Sequence, residues 1–465
     1  MSDAFDLLVI GAGMAGTSAA NKCAAQGWRV GIVDALPYGG TCALRGCDPK
    51  KILRRGAEIV DAARLMNDTG ITEGGLRVDW PALMRRKRGF TDGVPKGMED
   101  ELTGNGATTF HGHAEFTGPN TLTIDGTTHH ADRFLIATGA TPRPLTFPGA
   151  AHLIDSTQFL DLDALPQRIV FIGGGFISFE FAHIAARAGA QCTIIDHGPR
   201  PLREFDPDLV ELLTSRTEQA GIHVYRNTNV TAIEAAPAGF QISINTHGTT
   251  TRLDADLVVH GAGRVPALDG LHLDAAGIAG SLRGVTVAGH LQSTTNPAVY
   301  AAGDAADTAG RPLTPVAVFE GKVAASNMLK GTTTAPDYTG VPTTVFTIPE
   351  LNRVGLLEEE AATSHNTAVR FTDTSNWYST YRVAETTAAA KIIIDTDTDQ
   401  ILGAHLLGPG YSELINTFGI AIKLGLTTRQ LKSTTATYPS LGSDLGSLLL
   451  SLIHISEPTR LLSIS

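Results

Sequence analysis

Apolar positions recur along the chain in two rhythms. FDLLVIGAG opens as a continuous apolar run, TSAANKCAAQG places small and apolar residues at helical spacing, and RVGIVD is apolar again. A short run, an amphipathic stretch and a second short run within about thirty residues predict a βαβ unit. The same order returns in RIVFIGGG, FISFEFAHIAARAG and QCTIID, so two such units are expected.

Between the copies, 108–113, 121–124 and 134–138 read as short strands, and FLIATGATPRP closes them with glycine and proline. After the second copy, 241–244 and 257–260 read as strands leading into GAGRVP, and TTNPAVYAAGDAAD reads as a turn and a strand returning to the first unit. GTTTAPDYTGVP, 331–342, has the composition of a linker. Beyond it, KIIIDTDTDQILGAHLLG resembles a hairpin and SELINTFGIAIKLG carries a helical pattern. The expected architecture is α/β. One Rossmann-like unit lies in two segments, 1–149 and 271–337, a second spans 150–270, and an α+β domain occupies 338–449. LSLIHISEPTR, 450–460, resembles a sequencing adapter translated in one frame. Residues 450–465 are therefore set aside as a non-native tail, with the natural gene expected to end before about Ser447.

A length of 465 residues exceeds what one core supports, and 42% apolar with 18% charged residues suits a globular chain. Fifty glycines fit many tight strand-to-helix turns. A formal charge of -11 leaves no surplus of basic side chains, which argues against nucleic acid or an anionic membrane as partner. MSDAFDLLVIGAG lacks a basic n-region, and no apolar run approaches a membrane span. A cytoplasmic location is expected. Four cysteines in so long a chain do not make a disulfide framework, so a bridge in a reducing compartment would be catalytic. Cys23 and Cys192 read as core residues.

Gly11, Gly13 and Gly16 form G-x-G-x-x-G directly after a predicted strand, and Asp34 ends the next one. These glycines allow a tight turn, close approach of backbone to a diphosphate and close helix packing, while the carboxylate suits ribose hydroxyls. Gly173, Gly175 and Ser178 repeat the arrangement with Asp196 at the second strand end. An acidic residue there favours NADH, whereas Arg200 and Arg203 nearby would welcome the 2'-phosphate of NADPH.

The segment 39–51, GGTCALRGCDPKK, holds Cys42 and Cys47. Five positions apart, they would stand about 140° apart around a regular helix, so bridging them requires a local distortion. A zinc pair is the competing reading, but zinc sites usually have closer spacing and a second ligand pair, which is missing here. No metal site is expected.

Together these residues resemble the pyridine nucleotide-disulfide oxidoreductases, the group that includes glutathione reductase, dihydrolipoamide dehydrogenase and mercuric reductase. GGTCALRGCDPKK carries the resemblance, with FLIATGATP, GGGFISFE, GAGRVP, YAAGDAAD and TVFTIPELNRVG. It implies FAD, NADH or NADPH, and a homodimer. By position, Cys47 would face the flavin and Cys42 would be the exposed thiol that attacks the acceptor. Lys50 and Glu180 would form an ion pair beside the flavin, and Phe176 would gate the nicotinamide. Gly40, Thr41, Thr138, Gly139, Gly303 and Asp304 stand at flavin positions, and Arg264 near the nicotinamide nucleotide.

The departure lies in ATYPSLGSDL, where Tyr438 replaces the family's histidine base, Ser443 takes the place of the glutamate that orients it, and Asp444 lies one further on. In such dimers Tyr438 would act in the partner subunit's site. A phenol is a poor proton acceptor near neutrality. Mercuric reductases have tyrosine at the comparable place but also a C-terminal cysteine pair, which is missing here. Asn21 and Lys322 replace arginines expected of a glutathione site. The expectation is electron transfer from a nicotinamide through FAD to Cys42 and Cys47 and on to a small disulfide or thiol-bound metal. Mercuric reduction is one alternative, and a flavin-bearing thiol redox sensor is another.

Overall fold

A computed structural model describes residues 4–72 and 74–449; the tail set aside above lies outside the described residues. The first βαβ unit consists of strand Leu7–Ile10, helix Met14–Ala24 and strand Val30–Asp34. Leu7, Leu8, Val9 and Ile10 are all buried, as expected where helices cover both faces of a parallel sheet. Strand order in this sheet is Val299–Ala301, Phe134–Ile136, Leu7–Ile10, Val30–Asp34, Thr108–His111, all parallel. Its outer strand Val299–Ala301 thus comes from the TTNPAVYAAGDAAD stretch, after the second unit has been completed.

That second unit is a parallel sheet of His223–Tyr225, Gln191–Ile195, Arg168–Ile172 and Leu257–His260, with an antiparallel sheet of Thr228–Ala236, Gly239–Thr246 and Thr249–Ala255 beside it. The stretch 331–342 runs without helix or strand. A five-stranded antiparallel sheet follows, containing the expected hairpin Ala389–Asp395 and Ile401–Gly408, with helix Tyr411–Leu424. The mixed α/β fold with two Rossmann-like units agrees with the sequence reading.

Two features went unread. Ala114–Gly118 and Thr127–Ala131 flank Thr121–Ile124 in a separate four-stranded sheet. Helix Cys47–Leu65 starts at the second cysteine and carries Leu53 into a core shared with Phe179 and Leu351. This one helix therefore packs against both the second Rossmann unit and the C-terminal sheet. Among the described residues no helix is long and apolar enough to cross a membrane.

Candidate active site

The redox segment supplies its own distortion. Thr41–Arg45 winds as a π-helical turn holding Cys42, and Cys47 begins the regular helix. A π turn is a known way to re-aim side chains at a site. Both cysteines are free and close enough for each to act on the other's proton. Their titrations separate: Cys47 is pushed down to about 6, first by the hydrogen bond from Cys42, then by Thr314 and by the Lys50 charge. Cys42 is pushed up, chiefly because it keeps the proton it shares with Cys47, and by burial. Cys42 is half-buried and Cys47 exposed. Cys42 lies inside the π turn, whereas Cys47 sits at a helix start facing Thr314.

Lys50, one turn along the redox helix, pairs with Glu180, and both are buried. The other Glu180 oxygen, Oε1, accepts the Phe346 N–H at 2.6 Å. Lys50 Nζ lies 6.0 Å from the Phe176 ring centre and 5.8 Å from that of Phe346. Phe176 is 48% exposed at the first position of its helix. Cys42, Cys47, Lys50, Glu180 and Phe176 are thus brought together. Tyr438 is not: it stands 80% exposed on the surface, and Asp444 bonds Ser379 Oγ at 2.5 Å instead.

Beside the redox turn lies a cradle. Gly11 has φ +106°, and a Cβ there would stand 2.4 Å from the Ala137 carbonyl oxygen; one on Gly40 would stand 2.6 Å from the Gly13 Cα. Helix Met14–Ala24 points its N-terminus here, so backbone N–H groups and the helix dipole suit a diphosphate. Asp34 Oδ2 accepts the Ala12 N–H at 2.7 Å and Oδ1 the Leu36 N–H at 2.8 Å. Thr138 Oγ1 is buried without a protein partner, next to Gly139. Arg264 donates to the Ala140 carbonyl, and burial raises the Asp304 carboxyl while Arg264 opposes this. Orphaned oxygen and side-chain-free backbone fit a dinucleotide such as FAD.

The second cradle repeats this design. A Cβ on Gly173 would stand 2.4 Å from the Gly261 carbonyl oxygen, and Gly175 precedes helix Phe176–Arg187. Ser178 Oγ and Asp196 Oδ2 are buried without partners. Asp196 Oδ1 accepts the Gly174 N–H at 3.3 Å. Arg203 is exposed and meets His197 at 3.2 Å.

Three residues here escaped the sequence reading. Thr314 Oγ1 lies 3.6 Å from Cys47 Sγ, and its one sequence signal is its place at the start of a helix, before Pro315. Phe346 belongs to a motif already noted, but its backbone contact with Glu180 could not be read. Glu320, buried, accepts the Gly303 N–H at 2.6 Å, Thr308 O–H at 2.8 Å and Tyr338 O–H at 2.6 Å, which fixes the turn holding Asp304.

Comparison with known proteins agrees with this geometry. A glutathione reductase of Burkholderia cepacia is 30% identical over 448 residues, covering 95% of this chain and 97% of that protein. A mercuric reductase of Lysinibacillus sphaericus is 29% identical over 449 residues, covering 95% and 82%. The solved Cu(II) complex of the HOCl-induced flavoprotein disulfide reductase RclA from Escherichia coli superposes with a TM-score of 0.86 at 26% identity, covering 96% of this chain and 99% of that one. Residues 341–448 match the dimerisation domain of the pyridine nucleotide-disulphide oxidoreductases and residues 5–321 match the family's main domain. On these matches the chain belongs to the pyridine nucleotide-disulphide oxidoreductase family, whose members use FAD and NAD(P)H.

Proposed function

We propose that the protein is a nicotinamide-dependent reductase in which Cys42 and Cys47 form the exit for electrons, and that its acceptor is a small disulfide. The observation that carries this reading is the placement of Cys42 in a π turn directly before Cys47 at a helix start, with Thr314 Oγ1 3.6 Å from Cys47 Sγ and the Lys50–Glu180 pair one turn on. FAD, which the backbone at Gly11, Gly13 and Gly40 with Asp34 and Thr138 would hold, would supply the two-electron chemistry between nicotinamide and cysteine pair. The chain's own residues do the rest. Lys50 and Thr314 stabilise the Cys47 thiolate, and Glu180 with the Phe346 N–H holds Lys50 in place. Cys42 gives its proton to the Cys47 thiolate and, as a thiolate itself, attacks one acceptor sulfur; the first thiolate departs and takes up the proton from Cys47. Cys47 then attacks Cys42 Sγ, closing the protein disulfide and releasing the second thiolate. One dithiol is oxidised and one disulfide reduced, with no outside base.

A thiol-bound metal is the second reading, favoured by a tyrosine, Tyr438, at the position where a disulfide reductase would carry its histidine base. A soft cation held by two thiolates needs no proton shuttle. Tyr438 would then act across a homodimer, in the partner subunit's site. Anaerobic assays with disulfides and Hg(II) separate the two, and sustained turnover with either excludes a purely sensing role.

NADH is the proposed donor, because the buried, unpartnered Asp196 Oδ2 suits a ribose diol. Replacing Asp196 by alanine is expected to shift the ratio of kcat/KM for NADH over that for NADPH about 10- to 100-fold towards NADPH, the worth of one charged hydrogen bond. An unchanged ratio would remove Asp196 from nucleotide choice.

The pH dependence follows from Cys47. Its thiolate persists above about 6 and is lost as pH falls through that value. In Lys50→Met the cation is gone and Glu180 is left facing the thiolate, so both changes raise the midpoint, by about 1 unit or more. The long-wavelength absorbance of a thiolate against bound flavin, followed against pH, reads this directly. A midpoint that stays at the wild-type value would mean that Lys50 does not act on Cys47.

A further inference from the structure

We propose that Arg45, in the spacer between the two redox cysteines, is a binding residue for the diphosphate of FAD, reaching from the π turn to the glycine cradle. Arg45 is half-buried, yet it has no hydrogen-bond or ion-pair partner among the described residues. A guanidinium withdrawn from water without a counter-charge is costly, and proteins seldom retain one unless an anion completes it. Nearly every other arginine in this part of the fold is engaged: Arg54 with Glu350, Arg187 with Asp61, Arg264 with the Ala140 carbonyl.

Position says which anion. Arg45 ends the turn that begins just after Gly40, and Gly40 lies against Gly13 at the start of helix Met14–Ala24. The charges that act on Arg45 are those of Asp34, at the cradle, and of Arg264 and Asp155, none within ion-pair distance. Arg45 therefore lies within electrostatic range of both Asp34 at the first cradle and Arg264. The cation acting on Cys47 is Lys50, so thiol activation does not need Arg45. Of the parts of FAD, only the diphosphate is anionic, and a guanidinium fork meets two phosphate oxygens at once. The redox turn would in this way be tied to the cofactor that reduces it.

The test is titration of FAD-stripped protein with FAD, and with ADP as a competitor that carries a diphosphate without the flavin. For Arg45→Gln we expect the Kd of FAD to rise about 10- to 100-fold and that of ADP to rise in parallel, with Arg45→Lys in between because it keeps charge but loses the fork. The stripped Arg45→Gln protein should melt no lower than stripped wild type, since the lost charge had no partner, while the rise in melting temperature on adding FAD should shrink. Unchanged FAD affinity overturns the proposal. So does weaker FAD binding with unchanged ADP binding, which would place Arg45 in the shape of the turn, and so does a lower melting temperature of the stripped variant.

Discussion

Cys42→Ala is expected to abolish reduction of every physiological acceptor, by on the order of 10³-fold or more, while the flavin still oxidises the nicotinamide when an artificial dye takes the electrons. The two cysteines are not interchangeable. Cys47 is the thiol that Thr314 and Lys50 stabilise as thiolate, at the start of the redox helix. Cys42 keeps the proton and lies in the π turn, so it can turn nucleophilic only as that proton leaves. Removing Cys42 leaves a thiolate with no neighbour to displace and no resolving partner. Cys47→Ser should also lose acceptor reduction, but it additionally removes the thiolate absorbance, which Cys42→Ala retains with its midpoint moved to higher pH because the Cys42 proton no longer supports the thiolate. The measurement is anaerobic turnover with a panel of disulfides and Hg(II), alongside dye reduction. Normal rates with any acceptor in Cys42→Ala would end the dithiol mechanism.

The cysteine pair and both cradles were legible because their chemistry is local. Gly11, Gly13 and Asp34 lie in one βαβ unit, and the 140° mismatch on a regular helix already demanded the distortion that the π turn supplies. What escaped was everything set by packing across the chain. Thr314 lies 267 positions from Cys47, and Phe346 lies 166 from Glu180 through a backbone N–H that no side-chain pattern reveals. The relative exposure of Cys42 and Cys47 also depends on the turn in which each sits. Ala114–Gly118 and Thr127–Ala131 were missed for another reason: their polar and apolar residues, AEFTG and TTHHA, suit the partly solvated strands of a small sheet and lack a strong apolar run. Tyr438 was noticed only through the family resemblance, and a single chain leaves it on the surface.

Asp61→Ala is expected to destabilise the folded chain by about 3–5 kcal/mol, although Asp61 touches neither cysteine nor cradle. Asp61 is buried on the redox helix, where Oδ1 accepts Arg187 Nε–H at 2.8 Å and Oδ2 accepts from Arg216 at 3.3 Å. Both arginines come from the second Rossmann unit. Arg216 continues to Glu385 at 3.1 Å and Arg187 to the Ile348 carbonyl at 3.1 Å, both in the C-terminal part. Beside them the fully buried His183, held neutral chiefly by burial, accepts the Ile348 N–H on Nδ1 at 3.0 Å. Asp61 is therefore the carboxylate at which three parts of the chain meet. Without it Arg187 keeps only carbonyl partners, and a buried cation left uncompensated is the expensive half of such a pair. Against a typical total of about 5–15 kcal/mol the loss is large. Denaturant unfolding read by flavin release and by circular dichroism should show both transitions at lower midpoint, with flavin release leading because the redox helix has lost its anchor. Asp61→Asn, which keeps hydrogen-bond acceptance without the charge, should fall between. If Asp61→Ala unfolds at the wild-type midpoint, the carboxylate does not hold these parts together, and the placement of Lys50 against Glu180 must rest on apolar packing around Leu53 and on the Arg54 contacts with Glu350 and the Phe346 and Thr347 carbonyls.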